Sequence, residues 1–143
     1  METKFNFNSQ ICTTQGVFGM KAADLMIGDW VGVFDDKGII KDCRQVDWIR
    51  TGEIGMRYQK VWAIGCIEPI LLTPEILEKN GWEHNGIFMD KRIDGNIYFS
   101  WSDKFGAELY QNNYYMCYCK YVHTLQHALR LCGFDDIADN FKV

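Results

Sequence analysis

The spacing of hydrophobic and polar residues changes along the chain and divides it into stretches of different predicted structure. Residues 1–20 are mostly polar, with isolated Phe and Ile, and predict an arm or an edge strand. Short apolar runs separated by glycine-rich turns follow, and they indicate strands near 29–34, 38–50 and 56–68. Because these strands are short and their turns tight, residues 24–72 favour a small, bent, SH3-like β-unit.

A short helix is predicted after this β-unit. Thr73 is a good N-cap, and Pro74 has no N–H group to leave unpaired in the first helical turn. Ile76 and Leu77 supply an apolar face, and Gly81 is a typical residue just beyond a helix end. The sequence therefore predicts a helix over residues 74–80.

Alternating side chains return in residues 82–119 and predict an antiparallel meander. Asp94-Gly95 is a strong hairpin signal, and Gln111-Asn112-Asn113 marks another turn. The last strand, 114–119, carries apolar residues on both faces. Since two apolar faces are typical of a buried strand, we expect this strand to be central or covered.

The chain then changes to a helical period over residues 120–132. One stripe is apolar and consists of Tyr121, Val122, Leu125, Ala128, Leu129 and Cys132. We expect the opposite side to face solvent; it consists of His123, Gln126, His127 and Arg130. The resulting fold class is α+β, in a single domain over 1–143 with the helix packed on the meander. The expected core includes Phe99, Trp101, Leu109, Val122, Leu125 and Leu129.

Composition narrows the class of protein. A hydrophobic fraction of 48% excludes intrinsic disorder, and a formal net charge of −4 disfavours non-specific binding to nucleic acid. No apolar run approaches the roughly 20 residues that cross a bilayer, and the amino end shows no secretory signal. The chain has six cysteines but no CxxC pair. We therefore expect a cytoplasmic protein with free thiols and no membrane association.

Three segments resemble a known protein family. They are Asp24-Leu-Met-Ile-Gly-Asp-Trp-Val31, Ile67-Glu-Pro-Ile-Leu-Leu-Thr-Pro-Glu-Ile-Leu-Glu-Lys-Asn-Gly-Trp82 and Lys120-Tyr-Val-His-Thr-Leu-Gln126. Their order is similar to that in a family of small proteins from gut Bacteroides-type bacteria and their phages or prophages. The resemblance implies an origin in a phage or mobile element. It implies no established activity, so no catalytic residue is transferred.

The spacing Cys117-x-Cys119-x3-His123-x3-His127 raises the possibility of a metal site. Zinc prefers four nitrogen or sulfur ligands, and histidines four apart on a helix form a workable half-site. Against this, a C-x-C pair lacks the turn that CxxC provides, and the histidines lie opposite the apolar stripe. We therefore expect no metal site. If one exists, these four residues are its candidate ligands.

A cluster of tyrosines beside the Gln111-Asn112-Asn113 turn is the candidate binding surface. Aromatic side chains serve as rigid anchors at protein interfaces, and they also stack on unpaired bases. Because the chain is acidic, we expect a protein contact or a homo-oligomer here, with single-stranded nucleic acid as the less favoured alternative. The candidate residues are Tyr110, Asn112, Asn113, Tyr114 and Tyr115.

No G-x-G-x-x-G, P-loop, G-x-S-x-G or H-E-x-x-H pattern occurs, and no cofactor is expected. We therefore expect a non-catalytic binding or accessory protein. The alternative is an enzyme with a cysteine- or histidine-centred site, which would require an activated thiol beside a base.

Overall fold

The computed structural model describes residues 20–34, 40–50, 53–56, 60–63 and 67–143. The chain divides into two compact units, Met1–Ile70 and Leu71–Val143. Antiparallel sheets and short helices make up the described residues, which confirms the α+β class. Apart from Met20, the predicted arm lies outside the described residues. The single domain and the SH3-like assignment stay predictions.

The first unit contains a five-stranded antiparallel sheet with the strand order β4-β3-β2-β1-β5. Its described elements are a 3₁₀ turn at Ala22–Asp24, β1 (Trp30–Phe34), β2 (Ile40–Arg50), β3 (Glu53–Met56), β4 (Lys60–Ala63) and β5 (Ile67–Glu68). The described part of the strand predicted at 56–68 belongs to three shorter strands, β3 to β5, and β3 begins at Glu53, before the predicted start. Gly55 lies within β3 opposite Trp48, where an added Cβ would overlap the indole ring.

The core of the first unit is built from side chains of this sheet and of the segment before it. Its buried members are Met20, Leu25, Val31, Val33, Val46, Ile54, Met56 and Ile67. The buried Asp29 closes the loop before β1, because its carboxylate accepts a 2.8 Å hydrogen bond from the Met26 N–H. Its main-chain carbonyl accepts another from the Val46 N–H at 2.8 Å.

The second unit contains a five-stranded antiparallel sheet with the order β10-β9-β8-β7-β6. Its elements are α1 (Pro74–Lys79), β6 (Glu83–Asn85), β7 (Phe88–Arg92), β8 (Ile97–Ser102), β9 (Gly106–Gln111), β10 (Tyr114–Cys119), α2 (Val122–Leu131) and α3 (Asp135–Asp139). The predicted helix and meander are confirmed in order and extent. At the start of α1, the Thr73 hydroxyl accepts a 3.3 Å hydrogen bond from the Ile76 N–H, as expected of an N-cap.

The six side chains predicted for the core are all buried. The other side of α2 departs from the prediction, and α3 contacts it at Gln126. Gln126 is fully buried and donates a 2.9 Å hydrogen bond to the Ala138 carbonyl, and His123 is also buried. The expectation that this side faces solvent is therefore wrong for His123 and Gln126. No helix among the described residues is long and apolar enough to span a bilayer.

Candidate interaction surface

Strand β10 lies at one end of the second sheet and exposes most of its side chains. The exposed residues are Tyr114, Tyr115, Met116, Cys117 and Tyr118. The four largest of these side chains are between 52% and 75% exposed. The prediction of a central or covered strand is therefore wrong. An exposed apolar edge strand is a typical template for pairing with another strand.

The turn before β10 sets the position of its tyrosines. Asn112 and Asn113 have φ angles of 52° and 67°, in the left-handed region that asparagine tolerates better than most residues. Two successive residues of this kind give a hairpin turn whose twist matches that of the strands. The resulting register places Tyr115 opposite Tyr110 on β9. The two asparagines therefore shape the candidate surface through the backbone.

Four side chains form a continuous row across the outer face of the sheet. The Arg92 guanidinium lies over the Tyr98 ring at 5.3 Å, and the rings of Tyr98 and Tyr110 stack with centroids 4.9 Å apart. Tyr115 meets Tyr110 edge to face at 6.0 Å. Each step crosses one strand pair, from β7 through β8 and β9 to β10. We call Arg92, Tyr98, Tyr110 and Tyr115 the tyrosine row.

Two phenols of the row, those of Tyr110 and Tyr115, have a raised pKa. Tyr110 donates a 3.2 Å hydrogen bond to the Glu108 carboxylate. Desolvation first, and the Glu108 charge second, raise the pKa of Tyr110 and that of Tyr115. Both phenols therefore keep their protons, so the surface offers neutral hydrogen-bond donors beside apolar ring carbons.

Cys117 and Cys119 lie on the same strand but in different environments. Cys117 is exposed and Cys119 is buried. The Cys119 thiol donates to the Thr124 carbonyl at 3.5 Å and also contacts the Cys117 side chain. Burial, followed by the effect of Cys117, raises the pKa of Cys119 to about 12. Cys119 is therefore a protonated core thiol, unlike the lowered-pKa thiol that nucleophilic catalysis requires.

The two histidines of the predicted metal set lie together on α2. The His123 ring stacks with Tyr121 at 5.9 Å and meets His127 edge to face at 5.6 Å. Across the part of the chain that the structure describes, no three His, Cys, Asp or Glu side chains are placed to hold a metal ion. The two cysteines therefore lie together on β10 and the two histidines lie together on α2. The four side chains do not form one set of metal ligands.

A polar cleft of about 470 Å³ lies beside β6. It is lined by Gly81, Glu83, His84, Asn85, Asp90, Lys91 and Arg92. His84 pairs with Glu78 at 2.6 Å, and Asn85 donates to Asp90 at 2.9 Å. Because this lining contains no cysteine, it does not provide the thiol–imidazole pair of the enzyme alternative. That alternative stays a prediction.

The predicted binding residues are brought together around the β9–β10 hairpin. Sequence reasoning missed Arg92 and Tyr98, which extend the row across the sheet, and also Met116 on the exposed strand. Tyr98 alternates in its strand with buried residues, which was the available sign that it faces outward. Its place beside Tyr110 depends on the register between β8 and β9.

A scan against protein-family models found no match to this chain, and searches of curated proteins and of solved structures found none either.

Proposed function

We propose that this protein is a non-catalytic binding or accessory protein that acts through protein contacts or self-association at β10. The observation that carries the proposal is the exposure of five successive side chains, Tyr114 to Tyr118, on an edge strand. Monomeric proteins commonly protect such edges with charges, prolines, β-bulges or covering segments. Strand β10 has a register shift between Tyr115 and Cys117, but it carries neither charge nor proline, since its sequence is Tyr-Tyr-Met-Cys-Tyr-Cys.

The arrangement of the tyrosine row favours protein over single-stranded nucleic acid. Binding of unpaired bases needs free ring faces on which bases can stack. In the row, Tyr98 has Arg92 on one side and Tyr110 on the other, and Tyr110 is met by Tyr115. These ring faces are used within the sheet. Tyrosines held in this way are rigid, so they lose little conformational entropy when a protein binds.

The cellular setting belongs to the same proposal. The resemblance of three segments to proteins of Bacteroides-type bacteria and their phages supports a phage or prophage origin and action in the cytoplasm. The order β4-β3-β2-β1-β5 supports an SH3-like assignment for the first unit. A small β-unit joined to a sheet with an open edge suits an accessory protein that contacts others.

Affinity capture with an edge variant tests the proposed function. The immobilised full chain is exposed to lysate of a Bacteroides-type host, and bound proteins are quantified by mass spectrometry. We expect a protein that is captured by the wild-type chain and lost with the double substitution Tyr115→Ala and Tyr118→Ala. The loss follows because both side chains lie on the exposed strand and truncation of aromatic anchors removes most binding energy.

A matched control uses other exposed apolar residues of the same sheet. Ile87 and Phe88 are 83% and 42% exposed at the β6–β7 turn, and their double alanine variant should capture the same protein as the wild type. Circular dichroism confirms that each variant is folded. Capture that is unaffected by the Tyr115 and Tyr118 substitutions would contradict the proposal.

A further inference from the structure

The two ends of the second sheet differ in their capacity to accept a strand. Strand β6 has only the residues Glu83, His84 and Asn85, all exposed and polar. Short, charged edge strands resist pairing. Strand β10 has six residues and no charge. Among the residues that the structure describes, the sheet therefore has one edge suited to pairing, and a sheet with one such edge can form a closed pair but not a chain of many copies.

Backbone alternation shows which groups of β10 are available. The Asn112 N–H donates to the Asn96 carbonyl at 2.8 Å, on the side of β9 that faces β8. Since successive residues alternate, Tyr110 and Glu108 also direct their main-chain groups toward β8. Tyr115 and Tyr118 lie opposite these two residues in the β9–β10 register, because the register shift at Met116 places one extra residue between them. Their own N–H and C=O groups therefore point to the open side of β10.

The charges around this edge are compatible with a second identical edge. Two copies of β10 meet without like charges, because residues 114–119 are all uncharged. When the strands run antiparallel with Tyr115 of each copy opposite Tyr118 of the other, Lys120 lies opposite Asn113. An ammonium group beside a neutral amide can donate a hydrogen bond.

We infer that β10 pairs with β10 of a second copy of this chain, antiparallel and about a two-fold axis close to Met116 and Cys117. This inference rests on the proposed function of β10 as a binding strand and names its occupant. The second sheets of the two copies become one continuous sheet of ten strands. The tyrosine rows of the two copies meet across the axis. A two-fold contact of this kind is self-complementary and closes on itself.

The area available sets the strength of the pair. The exposed parts of Tyr114, Tyr115, Met116 and Tyr118 amount to about 500 Å² per copy, if each side chain buries roughly 200 Å² when fully covered. The total of about 1,000 Å² is at the lower end for a specific interface. The dimer is therefore weak, and its population depends on protein concentration.

Sedimentation equilibrium of the full chain, from low micromolar to millimolar concentration, measures this association. We expect the average mass to rise from one chain toward two. Met116→Lys should raise the dissociation constant by about tenfold or more, because it sets two positive charges near each other across the axis. Leu131→Lys, which adds the same charge at an exposed position of α2, is the matched control and should leave the dissociation constant unchanged.

Opposite charges provide a direct test of the two-fold axis. Met116→Lys and Met116→Glu should each associate more weakly than the wild type when alone, and an equimolar mixture should restore association. Hydrogen exchange gives a second readout. The amides of Tyr115 and Tyr118 should exchange more slowly at high concentration, whereas the amide of Tyr114, which faces β9, should not change.

Two results would overturn the inference: a chain that stays monomeric up to millimolar concentration, or a dimer that both Met116 variants leave intact. A mixture that fails to associate would overturn the axis at Met116. These failures are separable from failure of the proposed function. If the chain is monomeric but still captures another protein through Tyr115 and Tyr118, the proposed function stands and the occupant is a strand of that protein.

Discussion

Burial separates the chemistry of two neighbouring thiols on β10. Cys117 and Cys119 are two positions apart, yet one is exposed and the other is enclosed beside the start of α2. Removing a thiolate from water is unfavourable, and the nearby Cys117 adds to this effect, so the pKa of Cys119 rises to about 12. An unfolded chain has no such enclosure. Folding and ionisation of this one side chain are therefore linked.

Replacing Cys119 by Ala should make stability less sensitive to alkaline pH. Below pH 9 the thiol is protonated in both states and has no effect. Between pH 9 and about 12 it ionises in the unfolded chain only, so the wild-type protein loses stability as pH rises. From pH 8 to pH 10 the wild-type free energy of unfolding should fall by about 1.4 kcal/mol more than that of Cys119→Ala.

Urea unfolding at several pH values measures this difference. Tyrosine and lysine side chains also ionise at alkaline pH, but they are common to both proteins, so their effects cancel in the comparison. Leu131→Ala, which truncates an exposed side chain without a titratable group, is the control and should keep the wild-type slope. Parallel pH curves for the wild type and Cys119→Ala would show that Cys119 is accessible in the folded protein.

Among the elements, α2 shows what periodicity can and cannot predict. The apolar stripe correctly identified the inward side chains Val122, Leu125 and Leu129. It failed on the opposite side, where Gln126 is buried and donates to the Ala138 carbonyl of α3, and where His123 is buried as well. A polar residue buried by a later element has no local signature in the sequence. Its burial depends on a hydrogen bond to a carbonyl twelve residues away.

Strand β10 shows the opposite error, because it was expected to be buried and is exposed. Alternation and the Gln111-Asn112-Asn113 turn correctly predicted a strand and a hairpin. Two apolar faces, however, are equally consistent with burial and with an exposed binding edge, and the strand order alone distinguishes them. The tyrosine row was only partly predictable, since Tyr98 reaches Tyr110 through the register of separate strands.

The β9–β10 hairpin should depend strongly on its two left-handed residues. Replacing Asn113 by Ala should lower the free energy of unfolding by about 1–2 kcal/mol, because alanine is strained at positive φ. Replacing it by Gly should leave stability unchanged or raise it slightly, since Asn-Gly is favoured in this turn. Thermal and urea unfolding of the three proteins at low concentration should rank their stability in the order Gly, Asn, Ala, from highest to lowest.

Asn96 offers the matched control for this series. It is also exposed and near a hairpin, but its φ is not positive. Asn96→Ala should therefore change stability by less than about 0.5 kcal/mol. Equal losses for Asn96→Ala and Asn113→Ala would mean that side-chain contacts, rather than backbone conformation, explain the role of Asn113.

For the whole molecule, the second unit is closed by bonds between its own beginning and end. The Leu72 N–H donates to the Lys120 carbonyl at 2.9 Å. Asn80 donates to the Lys142 carbonyl at 2.7 Å and accepts from the Lys142 N–H at 2.9 Å. The first contact joins the segment before α1 to the residue that follows β10, and the Asn80 contacts join the end of α1 to the last residues of the chain. Leu71–Val143 thus contains a sheet, helices and ties that do not require residues of the first unit.

We therefore expect residues 71–143, expressed alone, to fold cooperatively. A segment of this size can bury roughly 60% of its unfolded surface, which is enough for a marginally stable domain. Amide chemical shifts of the fragment should match those of the full chain, and thermal unfolding should be a single transition. Leu125→Ala, at a fully buried position, should lower the stability of both fragment and full chain by about 2–5 kcal/mol. A fragment with no cooperative transition, beside a full chain that folds, would mean that the second unit requires the first for stability.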